Sequence, residues 1–276
     1  MHFSFLFSTM VATAAWFQVA NARTVFAHFI MDNAYAYTPD QWSKDIAAAQ
    51  QIGIDGFALN WHAPDCSPDM QWTIARIDDA FKIARKKGFK LMHSFDMSHA
   101  VCDTFWNQTF MQHMIDKHGG NSTTFRWDDN ILVSTYGGDQ VPQYGNRFFQ
   151  GLKKAMNSTN AITLAPALTR YSYSAQRNAH LAAIKLVNDY PSIDGYLNWQ
   201  AWPLDTPNEL NVAPDRIFQS ALRKTGRAGP CIMGEWSADF RPGRFCAPPI
   251  LSISTLTMAI QGSQRRQLNG CVGPEV

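Results

Sequence analysis

Glutamate is scarce in this chain: Glu209, Glu235 and Glu275 are the only three. Any carboxylate chemistry must therefore lean on aspartate. Neither sign of charge dominates either. Lys and Arg number 24 against 22 Asp and Glu, a net charge of +2, which gives no electrostatic case for nucleic acid or for an acidic membrane surface. Beyond the amino terminus no run approaches about 18 consecutive apolar residues, so no membrane-spanning helix is expected there. There is no H-E-x-x-H, no P-loop, no G-x-S-x-G and no paired C-x-x-C, so the signatures of zinc proteolysis, phosphate cradling and serine-nucleophile chemistry are missing. His28, His62, His93 and His99 fall near presumed strand ends, but their spacing matches no standard zinc pattern. No metal and no cofactor are expected.

What is present begins with an address label. Residues 1–22 read as a signal peptide: Phe3 to Val19 is mostly apolar, and Ala20-Asn21-Ala22 fits a small-x-small cleavage site. Secretion agrees with three N-x-S/T sequons, at Asn107, Asn121 and Asn157. Five cysteines in an oxidising compartment leave at least one unpaired. Cys66 and Cys102 follow the second and third presumed strands. If those strands are neighbours, their loops are neighbours, and a Cys66–Cys102 disulfide is expected.

The rest alternates apolar runs with amphipathic stretches. Thr24 to Met31 is a first strand. Thr38 and Pro39 open a helix that places Trp42, Ile46 and Ala49 on one face and ends at Gly53. Strand two follows at Ile54 to Trp61, a helix from about Met70 to Lys87, and strand three at Lys90 to Asp96. Later units are a helix over 103–117, a loop over 119–129, a strand over 131–136, a helix over 143–156, a strand over 161–168, a helix over 175–188, a strand over 193–202, a helix over 215–224 and a strand from Pro230. Two strands repeat one grammar, Ile54-Asp-Gly-Phe and Ile193-Asp-Gly-Tyr, each running on to Asn-Trp. Strand–helix units about 30 residues long predict a parallel (β/α)8 barrel. A doubly wound open sheet is the rival; it lacks a Gly-rich phosphate turn after the first strand. The barrel is expected to occupy 23–234 and to be incomplete or irregular after its seventh strand, with an atypical tail over 235–276. Without an eighth strand, strands one and seven would be open edges with unpaired backbone groups. Ile250 to Ile260 is a candidate substitute, though it carries no acid.

In such barrels chemistry sits at the C-terminal ends of the strands. The residues expected there are Asp96, Asp139, Asn60, Asn198, Trp61, Trp199 and Trp202. Carboxylates flanked by aromatic platforms are what glycoside hydrolysis needs: one group protonates the leaving oxygen, another activates water or attacks. The bland alternatives are core packing for each tryptophan and an N-cap role for Asp96.

The blocks V-F-A-H-F-I-M (25–31), Y-T-P-D-Q-W-S-K-D-I (37–46), G-I-D-G-F-A-L-N (53–60), G-F-K-L-M-H-S-F-D-M (88–97), L-V-S-T-Y-G-G-D (132–139) and D-G-Y-L-N-W-Q-A-W-P (194–203) resemble those of fungal α-1,3-glucanases, the mutanases of glycoside hydrolase family 71. The resemblance runs from about Thr24 to Gly234. It implies a secreted barrel enzyme that cuts α-1,3-glucosidic bonds of cell-wall glucan with inversion; an extracellular or wall-bound monomer is expected. Asp96 matches the family's essential aspartate. His28, Asn60, Asp139, Trp199 and Trp202 match mouth positions and are expected to line the sugar cleft. The family's W-N-D-Y-G-E-S-type motif, thought to supply acid and base, has no counterpart here. Glu235 is the remaining candidate carboxylate. The alternative is a non-catalytic glucan-binding protein of the same descent.

Overall fold

The computed structural model describes residues 24–63, 71–98, 105–156, 160–198, 213–227, 229–233 and 251–254. Strands and helices alternate: β1 (Val25–Ile30), α1 (Pro39–Gln51), β2 (Gly56–His62), α2 (Gln71–Lys87), β3 (Lys90–Asp96), α3 (Gln108–Gly119), β4 (Arg126–Trp127), β5 (Asn130–Tyr136), α4 (Asn146–Ala155), β6 (Ile162–Leu164), α5 (Thr169–Asp189), β7 (Tyr196–Leu197), α6 (Ala213–Lys224), β8 (Cys231–Met233) and β9 (Leu251–Ser254). All ladders but one are parallel. They run β6-β5-β3-β2-β1-β9-β8-β7, and β4 pairs antiparallel with β5. The architecture is a (β/α) barrel of eight parallel strands, with α1 to α6 around it.

Two features are irregular. The regular ladder is open between β6 and β7. Single backbone bonds span the opening, from the N–H groups of Asp194 and Gly195 to the Leu164 carbonyl (2.9 and 3.1 Å) and from the Leu197 N–H to the Pro166 carbonyl (3.1 Å). The eighth place is taken by β9, from the tail, which pairs with both β1 and β8. The tail thus supplies the substitute strand, and β1 is not left as an edge.

Local chemistry explains the element starts. Thr38 caps α1 in a reciprocal box: the Gln41 N–H donates to Thr38 Oγ1 (3.4 Å) and the Thr38 N–H donates to Gln41 Oε1 (2.8 Å), worth about 1 kcal/mol. Pro39 sits at the first helical position, where its missing N–H costs nothing. Gly53 ends the α1 turn at φ 82°, a left-handed conformation that L side chains resist. The segment read as a loop over 119–129 contains a two-residue hairpin instead. Asp128 and Asp129 take φ 47° and 65°, the mirror-image turn that matches strand twist, and β4 returns onto β5. Thr123 to Phe125 fills the space beside the lower half of β3, with the Leu91 N–H donating to the Thr123 carbonyl and the Phe125 N–H to the Leu91 carbonyl, both at 2.9 Å.

Strand alternation sorts the core into two parts. The outward set (Phe29, Phe57, Leu59, Trp61, Leu91, Phe95, Val133) packs under the helices with Trp42, Ile46, Phe81 and Met114. The inward set (Phe26, Ala58, Met92, Leu132, Ala165, Leu197) fills the barrel, and Phe125 and Trp127 pack against it. Phe26 and Phe125 meet edge to face, centroids 4.9 Å apart, at the N-terminal end. Gly56 is required there: a Cβ would run into the Phe26 ring and the Lys90 carbonyl. The bottom of the barrel is therefore apolar and sealed, which leaves the C-terminal end for chemistry.

Candidate active site

Going up the barrel, the inward positions turn polar. His28 is in register with Ala58 and Met92. The next inward layer is Ile30, Asn60, Ser94 and Ser134, and the rim is His62, Asp96 and Tyr136. Asn60 Nδ2 donates to Ser94 Oγ at 3.3 Å, and Ser134 Oγ donates to the Ala165 carbonyl at 2.8 Å. His28 is buried, and burial pushes its imidazole down to about 3, so it is neutral at physiological pH. Asn198, at the end of β7, is also buried, and its Oδ1 has no hydrogen-bond donor among the described residues.

Asp96 ends β3 at the rim, partly exposed. Its Oδ1 accepts from the Ser98 N–H (2.9 Å) and Ser98 Oγ (2.6 Å), and its carbonyl accepts from Trp106 Nε1 at 2.6 Å. Backbone and one carboxylate oxygen are thus fixed. Among the described residues no donor reaches Oδ2. Helix α3 is capped by Asn107; the segment that Asp96 would alternatively cap runs into residues 99–104, outside the described residues.

Asp139 lies at the same end but is otherwise engaged. Its Oδ1 accepts from the Thr169 N–H (3.1 Å) and Oγ1 (3.3 Å), and its Oδ2 from the Arg170 N–H (2.7 Å). It satisfies the first N–H groups of α5, the task of an N-cap, from 30 residues away. Tyr136 stands beside Asp96; burial first, then negative charge from Tyr173, Asp96 and Asp139, push its phenol up, so it stays protonated.

Three rim features were not singled out from sequence. Asp32, on the 3-10 turn Met31–Ala34 after β1, pairs with His62 Nε2 at 3.3 Å. Tyr35, 66% exposed, meets Trp72 of α2 edge to face at 5.1 Å. Tyr173 is also exposed, near the start of α5. An acid and an aromatic directly after an apolar strand are the signal that marks the first two.

Among the described residues, His28, His62 and His93 do not converge on one another. His28 is inside the barrel, His62 at the rim, and His93 faces outward, stacked on Phe95 and 3.2 Å from His118 Nδ1. Burial holds both His93 and His118 below the usual range. Trp61 is core, packed against Trp106 with centroids 4.8 Å apart, and offers no platform to a sugar. Asn107 and Asn121 lie at the two ends of α3. A groove of about 650 Å³ lies between α2 and α3, lined by Lys82, Arg85, Lys86 and Lys117, at the end opposite the rim. The signal peptide, Cys66, His99, Cys102, Asn157, Trp199, Trp202 and Glu235 lie outside the described residues.

The model of glycosyl hydrolase family 71 matches residues 21–233. A glucan endo-1,3-alpha-glucosidase of Schizosaccharomyces pombe is 28% identical over 226 residues, 81% of this chain and 49% of that protein. A mutanase of Penicillium rubens is 27% identical over 193 residues, 70% of this chain and 37% of its own. An ascus wall endo-1,3-alpha-glucanase of S. pombe is 22% identical over 205 residues, 74% and 44% respectively. The chain thus spans about half the length, or less, of the relatives it matches. With the family match extending from before β1 to the end of β8, this chain belongs to glycosyl hydrolase family 71.

Proposed function

We propose that the chain is a secreted glycoside hydrolase of the α-1,3-glucanase type. It hydrolyses α-1,3-glucosidic bonds of fungal cell-wall glucan with inversion, outside the cell or in the wall, as a monomer. The observation that carries this is Asp96, held at the C-terminal end of β3 above a polar barrel interior, in a chain whose family relatives bear glucanase names. His28 and Asn60 form the floor of the cleft, and Asp139 sets the entrance of α5 at its edge. Tyr35 and Trp72 offer an exposed aromatic face on which a pyranose ring stacks. Trp199 and Trp202 lie outside the described residues; their part in sugar binding is inferred from the resemblance to the family's mouth positions alone. Inversion requires a second proton-transfer group across a water-sized gap from Asp96.

A second reading is favoured by one sequence observation, the missing W-N-D-Y-G-E-S-type motif. Without its acid and base, the chain would hold glucan and cut nothing. The deciding experiment uses the purified full chain on insoluble α-1,3-glucan and measures both retention and release of reducing ends. Release supports the hydrolase. Retention without release supports the binding protein. Neither would sink both readings.

A further inference from the structure

Asn121 follows α3, and all but one of its polar groups are engaged. Its N–H donates to the His118 carbonyl at 2.9 Å, its carbonyl accepts from the Thr124 N–H at 3.0 Å, and its Oδ1 accepts from the Thr123 N–H at 3.2 Å. Among the described residues no hydrogen bond engages Nδ2. Asn121 opens the Asn121-Ser122-Thr123 sequon and lines the groove of about 650 Å³ between α2 and α3. The α2 wall of that groove carries Lys82, Arg85 and Lys86, which pair with no carboxylate among the described residues. The dipole of α2 accounts for cations in its last turn; Lys82 stands before that turn. Thr123 supplies an independent observation. It is 2% exposed, and its Oγ1 is buried without a hydrogen-bond partner among the described residues. A hydroxyl buried in that way weakens a fold, and a valine of the same shape would not. The folded chain has no use for this hydroxyl. The unfolded chain does, because it completes the sequon.

We propose that Asn121 carries an N-linked glycan whose first sugars lie in the groove between α2 and α3. This rests on the secreted part of the reading above and not on its hydrolase part. Asn121 Nδ2 displaces the diphosphate of a lipid-linked oligosaccharide at C1 of its first N-acetylglucosamine. The bond from C1 to the diphosphate oxygen breaks and its electron pair leaves with the diphosphate. The carbon–nitrogen bond forms, and Nδ2 gives up one proton. Because Thr123 is buried in the fold, the transfer precedes the closing of this segment. The first sugar is then fixed beside the end of α3. Its acetamide carbonyl and hydroxyl oxygens are acceptors, and Lys82, Arg85 and Lys86 are the donors that face them across the groove. The glycan thus ties α2 to α3 on the outside of the barrel. It does so at the end away from the rim, and leaves the cleft open to glucan.

The test makes the full chain in a secretory host as wild type, T123V, T123S and the triple variant K82S/R85S/K86S. Mass analysis of the peptide that holds Asn121 is expected to show a glycan in wild type, T123S and the triple variant, and none in T123V. An amidase that strips N-linked glycans then reads the seat. Release from folded wild type should be at least about 10-fold slower than from the folded triple variant, and the two should release alike once unfolded. If the triple variant is not secreted, R85S is read in its place. A secreted wild-type chain with Asn121 unmodified overturns the inference and leaves the secreted reading standing. Equal release from folded wild type and folded triple variant overturns the seat in the groove. A wild-type chain kept inside the cell without a glycan at any sequon overturns the secreted reading and this inference with it.

Discussion

Asp194 grips Leu164 through both backbone groups of that residue: the Leu164 N–H donates to Asp194 Oδ2 and the Asp194 N–H donates to the Leu164 carbonyl, each at 2.9 Å. Asp55 grips Val25 in the same way, at 2.8 Å in both directions. The repeated Ile-Asp-Gly is thus a strand-starting clamp onto the preceding strand. The glycine after it makes room: a Cβ on Gly195 would collide with the Pro230 carbonyl. At Asp194 the clamp spans the opening between β6 and β7.

Asp194→Ala should therefore cost more than Asp55→Ala. It strands the part-buried Leu164 N–H at a place with few other cross-strand bonds, a loss of about 1–3 kcal/mol. The Lys153 contact at 2.6 Å adds little, because both side chains are over a quarter exposed. Asp55→Ala, in a regular ladder and with an exposed bond, should cost about 1 kcal/mol or less. Urea unfolding midpoints check the order; equal losses would mean that the opening is not the weak place.

Much of the framework was legible. Thr38-Pro39 marked a helix start, and Lys90 to Asp96 marked β3 residue for residue, because caps and apolar runs are local signals. Facing was not. Both sides of a parallel strand are buried, so the sequence of β3 does not say that His93 looks outward while Ser94 looks inward. The two strands beside the opening are shorter than read, β6 ending at Leu164 and β7 spanning two residues, and α5 begins at Thr169 rather than 175. Asp139 pulls that start forward from 30 residues away, which no local pattern encodes. The Asp128-Asp129 turn was missed because it uses left-handed residues without glycine. Asp96 was found because it ends a strand; the Asp32–His62 pairing was not, because it joins two strand ends 30 residues apart.

Acid should loosen the fold through His28. Its folded-state value of about 3 lies below the unfolded 6.5, so between those limits the unfolded chain binds more protons. Stability from this site is fully present above about pH 6.5 and falls with pH by up to about 1.4 kcal/mol per unit until about pH 3. His93 and His118, also lowered by burial, add to the trend. His28→Gln is expected to flatten part of the slope of unfolding free energy over pH 4 to 6.5. An unchanged slope would mean that His28 is not buried as a neutral ring.

The Asn107 sequon separates a glycan from a helix cap. The Phe110 N–H donates to Asn107 Oδ1 at 2.8 Å, and a glycan on Nδ2 leaves that bond in place. In a secretory host, Thr109→Ala should remove one glycan, read as a mass shift lost on glycosidase treatment, with little change in stability. Asn107→Ala should remove the same glycan and also cost about 1 kcal/mol from the lost cap. If Thr109→Ala leaves the glycan count unchanged, Asn107 is not a glycan site.

Asp96 and Asp139 should respond oppositely to loss of charge. In Asp96→Asn the amide oxygen still accepts from Ser98, so the end of β3 and its bond from Trp106 are kept; what disappears is the capacity to take a proton. Release of reducing ends is expected to fall at least about 100-fold while glucan retention and unfolding midpoint stay near wild type. Asp139→Ala instead removes three bonds at the start of α5 and should lower stability by about 2 kcal/mol, with glucan release lost through unfolding as temperature rises. If Asp139→Asn, which keeps one accepting oxygen, lost release as completely as Asp96→Asn at full stability, Asp139 would be chemical and not merely a cap. The pairing of the two variants therefore tells which rim aspartate meets the reacting bond, without a structure of the complex.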